Sequence, residues 1–362
     1  MKQLTWLGLL WFALTGCTPA APQFEASNPL DIAFGDPYIL KASDGLYYMY
    51  GTGGVEDGFI AYSSPDLKSW TPLGQIYRGG TEDSWTVDTF WAPEVYERNG
   101  RYYMFFSANC KFIDESELER FRIGVAVADS PAGPFVDYSD KPLYDPGYPI
   151  IDANVYFEGE RCWLYFSRCC YKHPVESEIA ADARAKGMFE EIEESWVYGV
   201  ELAPDFRSII GEPVLLLQPP YNRDDAQAEW ESRSVTSGEV NRRWTEGSFL
   251  FKHNDCYYMM YSANFYGGKH YAIGYATADN PLGPFVKSAH NPILQKNTEQ
   301  GGDVTGTGHN SITIAPDGKT MLCVYHGRTT PTGDERLVFI DPMEVTESGE
   351  LKIHGPSTRT AK

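Results

Sequence analysis

No run of lysine or arginine occurs anywhere in the 362 residues, and 30 basic residues face 50 acidic ones, for a formal net charge of −20. So acidic a chain repels nucleic-acid backbones and anionic lipid headgroups, which excludes both as partners. The same repulsion disfavours acidic polymers such as pectin backbones relative to neutral ones. The seven cysteines form no C-x-x-C pair and no Cys/His metal spacing. Several sit inside strand-like runs, so buried free thiols are expected, with a disulfide left open. Helical periodicity is scarce, and only residues 176–194 carry it convincingly. The apolar stretch Leu4–Leu14 is too short to span a bilayer, which needs about 20 residues.

That stretch follows a positive start, Met1-Lys2, and runs into Leu14-Thr15-Gly16-Cys17. The arrangement resembles a bacterial lipoprotein signal, which is cleaved before a cysteine that then receives lipid. It implies a signal peptide at 1–16, lipidation of Cys17, an Ala/Pro-rich spacer at 17–29 and one folded domain at 30–362. The protein is then exported and held at the bacterial envelope, with the membrane serving only as a tether. After the last repeat only a short tail remains, without room for an appended carbohydrate-binding sandwich. A monomer is expected.

What the sequence has in abundance is aromatic strand material. Hydrophobic residues make up 42%, enough for a packed core, and aromatics 14%, with 24 Tyr and 9 Trp. Aromatics favour strands and also offer faces on which sugar rings stack. One motif recurs: Gly45-Leu46-Tyr47-Tyr48-Met49-Tyr50, Gly100-Arg101-Tyr102-Tyr103-Met104-Phe105, Gly159-Glu160-Arg161-Cys162-Trp163-Leu164 and Asp255-Cys256-Tyr257-Tyr258-Met259-Met260. A fainter fifth copy begins at Gly318. Each copy starts at a turn signal and continues as a β-prone run. A further strand follows, ending twice in Asp-x-Pro-x-Gly-Pro-Phe, at Asp129 and Asp279, where the prolines stop strand pairing. A short apolar strand with a polar start precedes each copy: Asp36-Pro37-Tyr38, Ala92-Pro93-Glu94, Asp152-Ala153-Asn154, Glu246-Gly247-Ser248 and His309-Asn310-Ser311. Five repeats of this unit predict an all-β, five-bladed β-propeller. Residues 176–194 and 218–243 read as insertions over one face, where loops carry function.

In a propeller the innermost strands line the central axis, so their starts converge at one end. Asp36, Glu94, Asp152, Glu246 and His309 are therefore expected to share one register and face one another across a pit. Carboxyls crowded in this way cannot all ionise normally. One is pushed up and stays protonated while others stay charged, which supplies a general acid and a general base. Glycosidic bonds need that pair.

Asp36-Pro37, Trp91-Ala92-Pro93-Glu94, Ile151-Asp152 and Glu246-Gly247, in this order, resemble glycoside hydrolase family 43 over about residues 28–354. The resemblance implies a five-bladed propeller and inversion at the anomeric carbon. It assigns Asp36 as general base, Glu246 as general acid and Asp152 as the group that raises and orients the acid. It also implies substrate contacts. Trp91 reads as a pocket wall, Phe34 either stacks on the sugar or packs, and Glu94 is either a structural or a subsite group. Arg328, in Tyr325-His326-Gly327-Arg328, would contact substrate. His309, in Gly306-Thr307-Gly308-His309-Asn310, resembles a histidine near an axial ion. That ion is often calcium, held largely through water, consistent with calcium's preference for oxygen. No organic cofactor is implied.

The activity expected first is an exo-acting α-L-arabinofuranosidase on arabinose- or xylose-containing plant polysaccharide. A β-xylosidase, an endo-1,5-α-L-arabinanase and a galactan- or galactofuranose-cleaving enzyme remain open. The pocket loops decide among them, and Trp85, Trp230 and Trp244 are candidates to lie there. A non-catalytic glycan-binding lipoprotein would have lost one of the three acids. A sucrose-cleaving propeller would need a different nucleophile motif and carboxyls about 5 Å apart rather than roughly 6.5–9.5 Å.

Overall fold

The computed structural model describes residues 24–117, 119–172 and 176–358. Cys17 and the signal-like segment lie outside the described residues. The chain is all-β apart from a few short helices, as the repeats predict.

Strands come in successive runs of four. The first is β1 (Gly35–Lys41), β2 (Tyr47–Thr52), β3 (Gly58–Ser64) and β4 (Thr71–Arg78). The second is β5 (Trp91–Arg98), β6 (Arg101–Asn109), β7 (Phe121–Ala128) and β8 (Val136–Asp137). The third is β9 (Ile150–Glu158), β10 (Arg161–Lys172), β11 (Glu193–Leu202) and β12 (Ile209–Leu217). The fourth is β13 (Arg242–His253), β14 (Cys256–Ala263), β15 (Ala272–Ala278) and β16 (Val286–Lys287). The fifth is β17 (Val304–Ile314), β18 (Met321–Thr329), β19 (Leu337–Val345) and β20 (Leu351–Ile353). Within each run consecutive strands pair antiparallel. The third and fourth runs join into one eight-stranded sheet through parallel pairing of β11 with β13, Glu194 opposite Arg243. The recurrent aromatic motif forms β2, β6, β10, β14 and β18, the second strand of every run.

These second strands are buried on both faces, because apolar layers fill the space between neighbouring runs. Tyr50 and Phe59 meet Met104 and Phe106 between the first and second runs. Phe105 and Ile123 meet Leu164 and Val200 between the second and third. Trp163 and Tyr165 meet Met259 and Tyr261, and Met260 and Tyr275 meet Tyr325 and Phe339. Met49 and Ile39 meet Val324 and Ile340, which brings the fifth run against the first. Each aromatic in these layers removes 150–250 Å² from water, the dominant stabilising contribution at roughly 25 cal/mol per Å² of apolar area. The first strands β1, β5, β9, β13 and β17 touch in that cyclic order, and β17 returns to β1.

Each first strand carries a β-bulge against its second strand. At every bulge one residue is left-handed: Asp36 (φ 51°), Ala92 (46°), Asp152 (60°), Gly247 (56°) and His309 (50°). The residue's amide turns out of the ladder and is taken up by a side chain from the preceding run. Ala92 N–H donates to Thr52 Oγ1 (2.8 Å), Asp152 N–H to Ser107 Oγ (3.1 Å) and His309 N–H to Ser262 Oγ (2.7 Å). Asp36 N–H donates to His326 Nδ1 on β18 (3.1 Å). Gly247 N–H instead meets Asp152 Oδ2 (3.1 Å), which also accepts from Ser167 Oγ (3.0 Å). The bulges correct the expected register. Asp36, Asp152 and His309 are equivalent, but Glu246 precedes its bulge position and Glu94 lies two residues beyond its own.

The helix in the first insertion is shorter than its periodicity predicts. It is α1 (Glu178–Ala185), capped by Ser177, and the chain then leaves to form β11. The second insertion holds two single-turn helices, α2 (Ala228–Glu231) and α3 (Arg233–Thr236). Fully buried Arg243 ties both insertions down, 3.0 Å from Glu194 Oε1 and bonded to Ser177 and Ser232. Phe24 packs against the seam of the first and fifth runs, and Asn28 is buried there.

Candidate active site

A cavity of about 170 Å³ opens at the bulged ends of the first strands, with Asp36, Asp152, Glu246, His309 and Trp91 in its lining. Asp36 is the most heavily partnered. Arg336 Nη1 lies 3.0 Å from its Oδ1, His309 Nδ1 3.2 Å from the same oxygen, and Thr52 Oγ1 donates to Oδ2 at 2.6 Å. Burial works against ionisation here, but Arg336, then His309, and the Thr52 hydroxyl overcome it and hold the carboxyl well below the usual range. His326 accepts the Asp36 amide at Nδ1, so that nitrogen bears no proton. Burial first, and then Arg336, keep its ring neutral.

Glu246 is set the opposite way. Burial and then the neighbouring Asp152 push it well above the carboxylate range, and the hydroxyl of Tyr271, donating to Oε1 at 2.8 Å, only partly opposes them. Asp152 is also raised by burial, but its carboxylate takes hydrogen bonds from Ser167 and the Gly247 amide and faces His309. Of this coupled pair, Glu246 therefore holds the proton and Asp152 the charge. One pocket thus contains an ionised carboxylate and a protonated carboxylic acid, the pairing that general acid–base chemistry requires.

The walls are aromatic and cationic. Trp91 stacks on Phe121, with ring centroids 4.3 Å apart. Arg242 lies over Trp244 (4.9 Å) and Phe265 (5.2 Å). Glu119, Cys169, Cys170 and Tyr266 complete much of the lining. All six described cysteines are free.

Several expected contacts are placed elsewhere. Phe34 is buried in the core, edge-on to Tyr62, and does not line the cavity. Glu94 is buried outside the cavity lining, bonded to Tyr96 and to Asn154 Nδ2 (3.0 Å). Arg328 spends its guanidinium on the carbonyls of Tyr266 (2.7 Å) and Asp334 (3.0 Å). Of the candidate tryptophans, Trp244 is in the wall. Trp85 is fully buried against Phe106, and Trp230 packs on Tyr261. Arg242 and Arg336 are the arginines in the cavity lining, and Arg336, which meets Asp36, lies in a loop without repeat signal. His326 sits in the motif singled out for Arg328, and Tyr271 had no signal beyond its position before β15.

A directly ligated metal does not fit here. Among the described residues no group of three or more His, Cys, Asp or Glu side chains could hold one. His309 Nδ1 is committed to Asp36, and Arg336 already balances that carboxylate. Only His309 Nε2 would remain for an ion held through water.

A sequence profile of glycosyl hydrolases family 43 matches residues 26–351. This chain is a family 43 glycoside hydrolase. A crystal structure of a thermostable family-43 glycoside hydrolase is 35% identical with a TM-score of 0.77, covering 93% of this chain and 98% of its own. A β-D-galactofuranosidase of Aspergillus niger is 29% identical over 349 residues, 90% of this chain and 84% of that protein. An extracellular exo-α-(1→5)-L-arabinofuranosidase of Streptomyces chartreusis is 26% identical over 87% of each. The family 43 neighbours are β-propellers, and the family makes this protein a glycosidase.

Proposed function

We propose that this family 43 hydrolase is an inverting, exo-acting α-L-arabinofuranosidase of plant polysaccharide, built on a five-bladed propeller. The observation that carries the mechanism is the opposite setting of Asp36 and Glu246 in one pocket. Asp36 takes a proton from water as the water attacks the anomeric carbon. Glu246 gives its proton to the departing glycosidic oxygen, and Asp152 keeps that proton on Glu246 until then. The cyclic contacts of the first strands and the run of amide bonds around the bulges support five blades.

The cavity supports an exo mode on a small sugar. Its volume of about 170 Å³ is below the roughly 300–1,000 Å³ of pockets for drug-sized ligands. The Streptomyces relative's name supports an arabinofuranoside. The Aspergillus relative supports a second reading, a galactofuranoside, which shares the five-membered ring but adds an exocyclic diol. Export is supported by the Streptomyces relatives described as extracellular, and anchoring at Cys17 belongs to the same proposal. So does a calcium ion held near His309 through water. Unchanged activity and melting temperature after chelation would remove the ion from the scheme.

The test of function is the product profile from branched arabinan, linear arabinan and arabinoxylan. Arabinose alone is expected. Xylose, or a ladder of oligosaccharides, would replace the reading by xylosidase or endo-arabinanase. Galactofuranose release from a galactofuranoside, with none of these cut, selects the second reading. Asp36→Asn and Glu246→Gln should each lower kcat by about 10³-fold or more with the fold intact.

A further inference from the structure

Glu246 has two carboxyl oxygens, and a general acid must present the protonated one to the leaving group. Tyr271, fully buried just before β15, donates its hydroxyl to Oε1 at 2.8 Å. Among the described residues Oε2 accepts no hydrogen bond. A carboxyl oxygen already accepting from a phenol is the poorer site for the transferable proton, and the free oxygen is the better one. We propose that Tyr271 is a positioning residue for the acid, assigning Oε1 as the anchored oxygen and Oε2 as the one that delivers the proton. This rests on Glu246 being the general acid.

The ring itself is held without freedom. It lies parallel to His326, with centroids 5.5 Å apart and planes 14° off parallel. On the facing strand is Gly308, where a Cβ would come within 2.1 Å of the ring, so only glycine leaves room. His326 in turn accepts the Asp36 amide. One packed pair of rings therefore spans from the acid's carboxyl to the base's backbone. Burial raises the phenol well above its ordinary range, so it keeps its proton and can donate it to Oε1.

Tyr271→Phe keeps the ring and deletes the donor. With an unactivated arabinoside, kcat is expected to fall about 10- to 100-fold, with KM within about twofold of the parent. With a dinitrophenyl arabinoside, whose leaving group needs little protonation, the loss should be under about threefold. Gly308→Ala, which pushes the ring aside from the opposite strand, should give the same leaving-group pattern and serves if Tyr271→Phe does not fold. Equal losses on both substrates, or no loss on either, would overturn the proposal. Glu246→Gln is the control: if it also loses equally on both substrates, the acid assignment has failed rather than the role of Tyr271.

Discussion

Asp152 and Glu246 differ less in burial than in what their oxygens touch, and the pH profile should expose that difference. With Glu246 as the proposed general acid, kcat/KM is expected to fall as pH rises through its pKa. Burial and the charge on Asp152 both hold that pKa up. Asp152→Asn removes the charge, so the alkaline limb should move to lower pH, with kcat/KM at pH 8 down about tenfold or more. An unmoved limb would sever Asp152 from the acid. Glu94 gives a stability prediction at the same scale. Burial, then Asp152, carries it from 4.5 to about 8, despite the bonds from Tyr96 and Asn154. The folded protein binds this proton where the unfolded chain releases it. Stability from this group is therefore full below about pH 4.5 and falls as pH rises toward 8, by roughly 1.4 kcal/mol per unit. In Glu94→Gln, denaturant melts at successive pH values should show that slope flattened.

At the scale of the element, the bulge is the unit that builds the site. It turns the backbone left-handed at equivalent places, frees an amide for the neighbouring run and re-aims the following side chains. Asp36, Asp152 and His309 tolerate φ near 50–60° as residue types that visit this region, and Gly247 visits it freely. Ala92 at 46° does not have that tolerance and does not line the cavity. Ala92→Gly should therefore stabilise the protein by about 1 kcal/mol with kcat unchanged, read by thermal and denaturant melts. A destabilised variant would mean the methyl group is worth more in packing than the strain it carries.

Over the whole molecule, the first and fifth runs are joined by few covalent neighbours and many contacts. Asn28 is central to that seam. Its Nδ2 donates to the Ile340 carbonyl (3.0 Å), Asp341 Oδ1 (3.1 Å) and Ser357 Oγ (2.9 Å), and its Oδ1 accepts from the Ile340 amide (2.9 Å). Asn28→Ala would orphan buried partners and should cost about 2–4 kcal/mol, seen as a lower unfolding midpoint. At temperatures where it stays folded, kcat should be unchanged, since Asn28 is absent from the pocket.

Much of the candidate site was legible in the linear chain because its carboxyls sit beside repeated, strongly patterned strands. Asp36, Asp152, Glu246 and His309 could be picked out by recurrence and Trp91 by the family 43 resemblance, and all line one cavity. Recurrence could not set their phase. An inserted bulge residue breaks the two-residue alternation of a strand, so Glu94, which looks equivalent to the acids, ends buried outside the cavity lining, held by Tyr96 and Asn154. Nor could it find Arg336, which reaches Asp36 from 300 residues away in a loop without pattern. Phe34, Arg328, Trp85 and Trp230 have the composition of pocket residues but face the core or nearby carbonyls. The sequence by itself determined the strand content, the repeats and which carboxyls recur at the starts of the first strands, because these follow from local propensity and strand patterning. Only the tertiary structure decided which carboxyl keeps its proton, because that depends on burial and on hydrogen bonds between strands far apart in the chain.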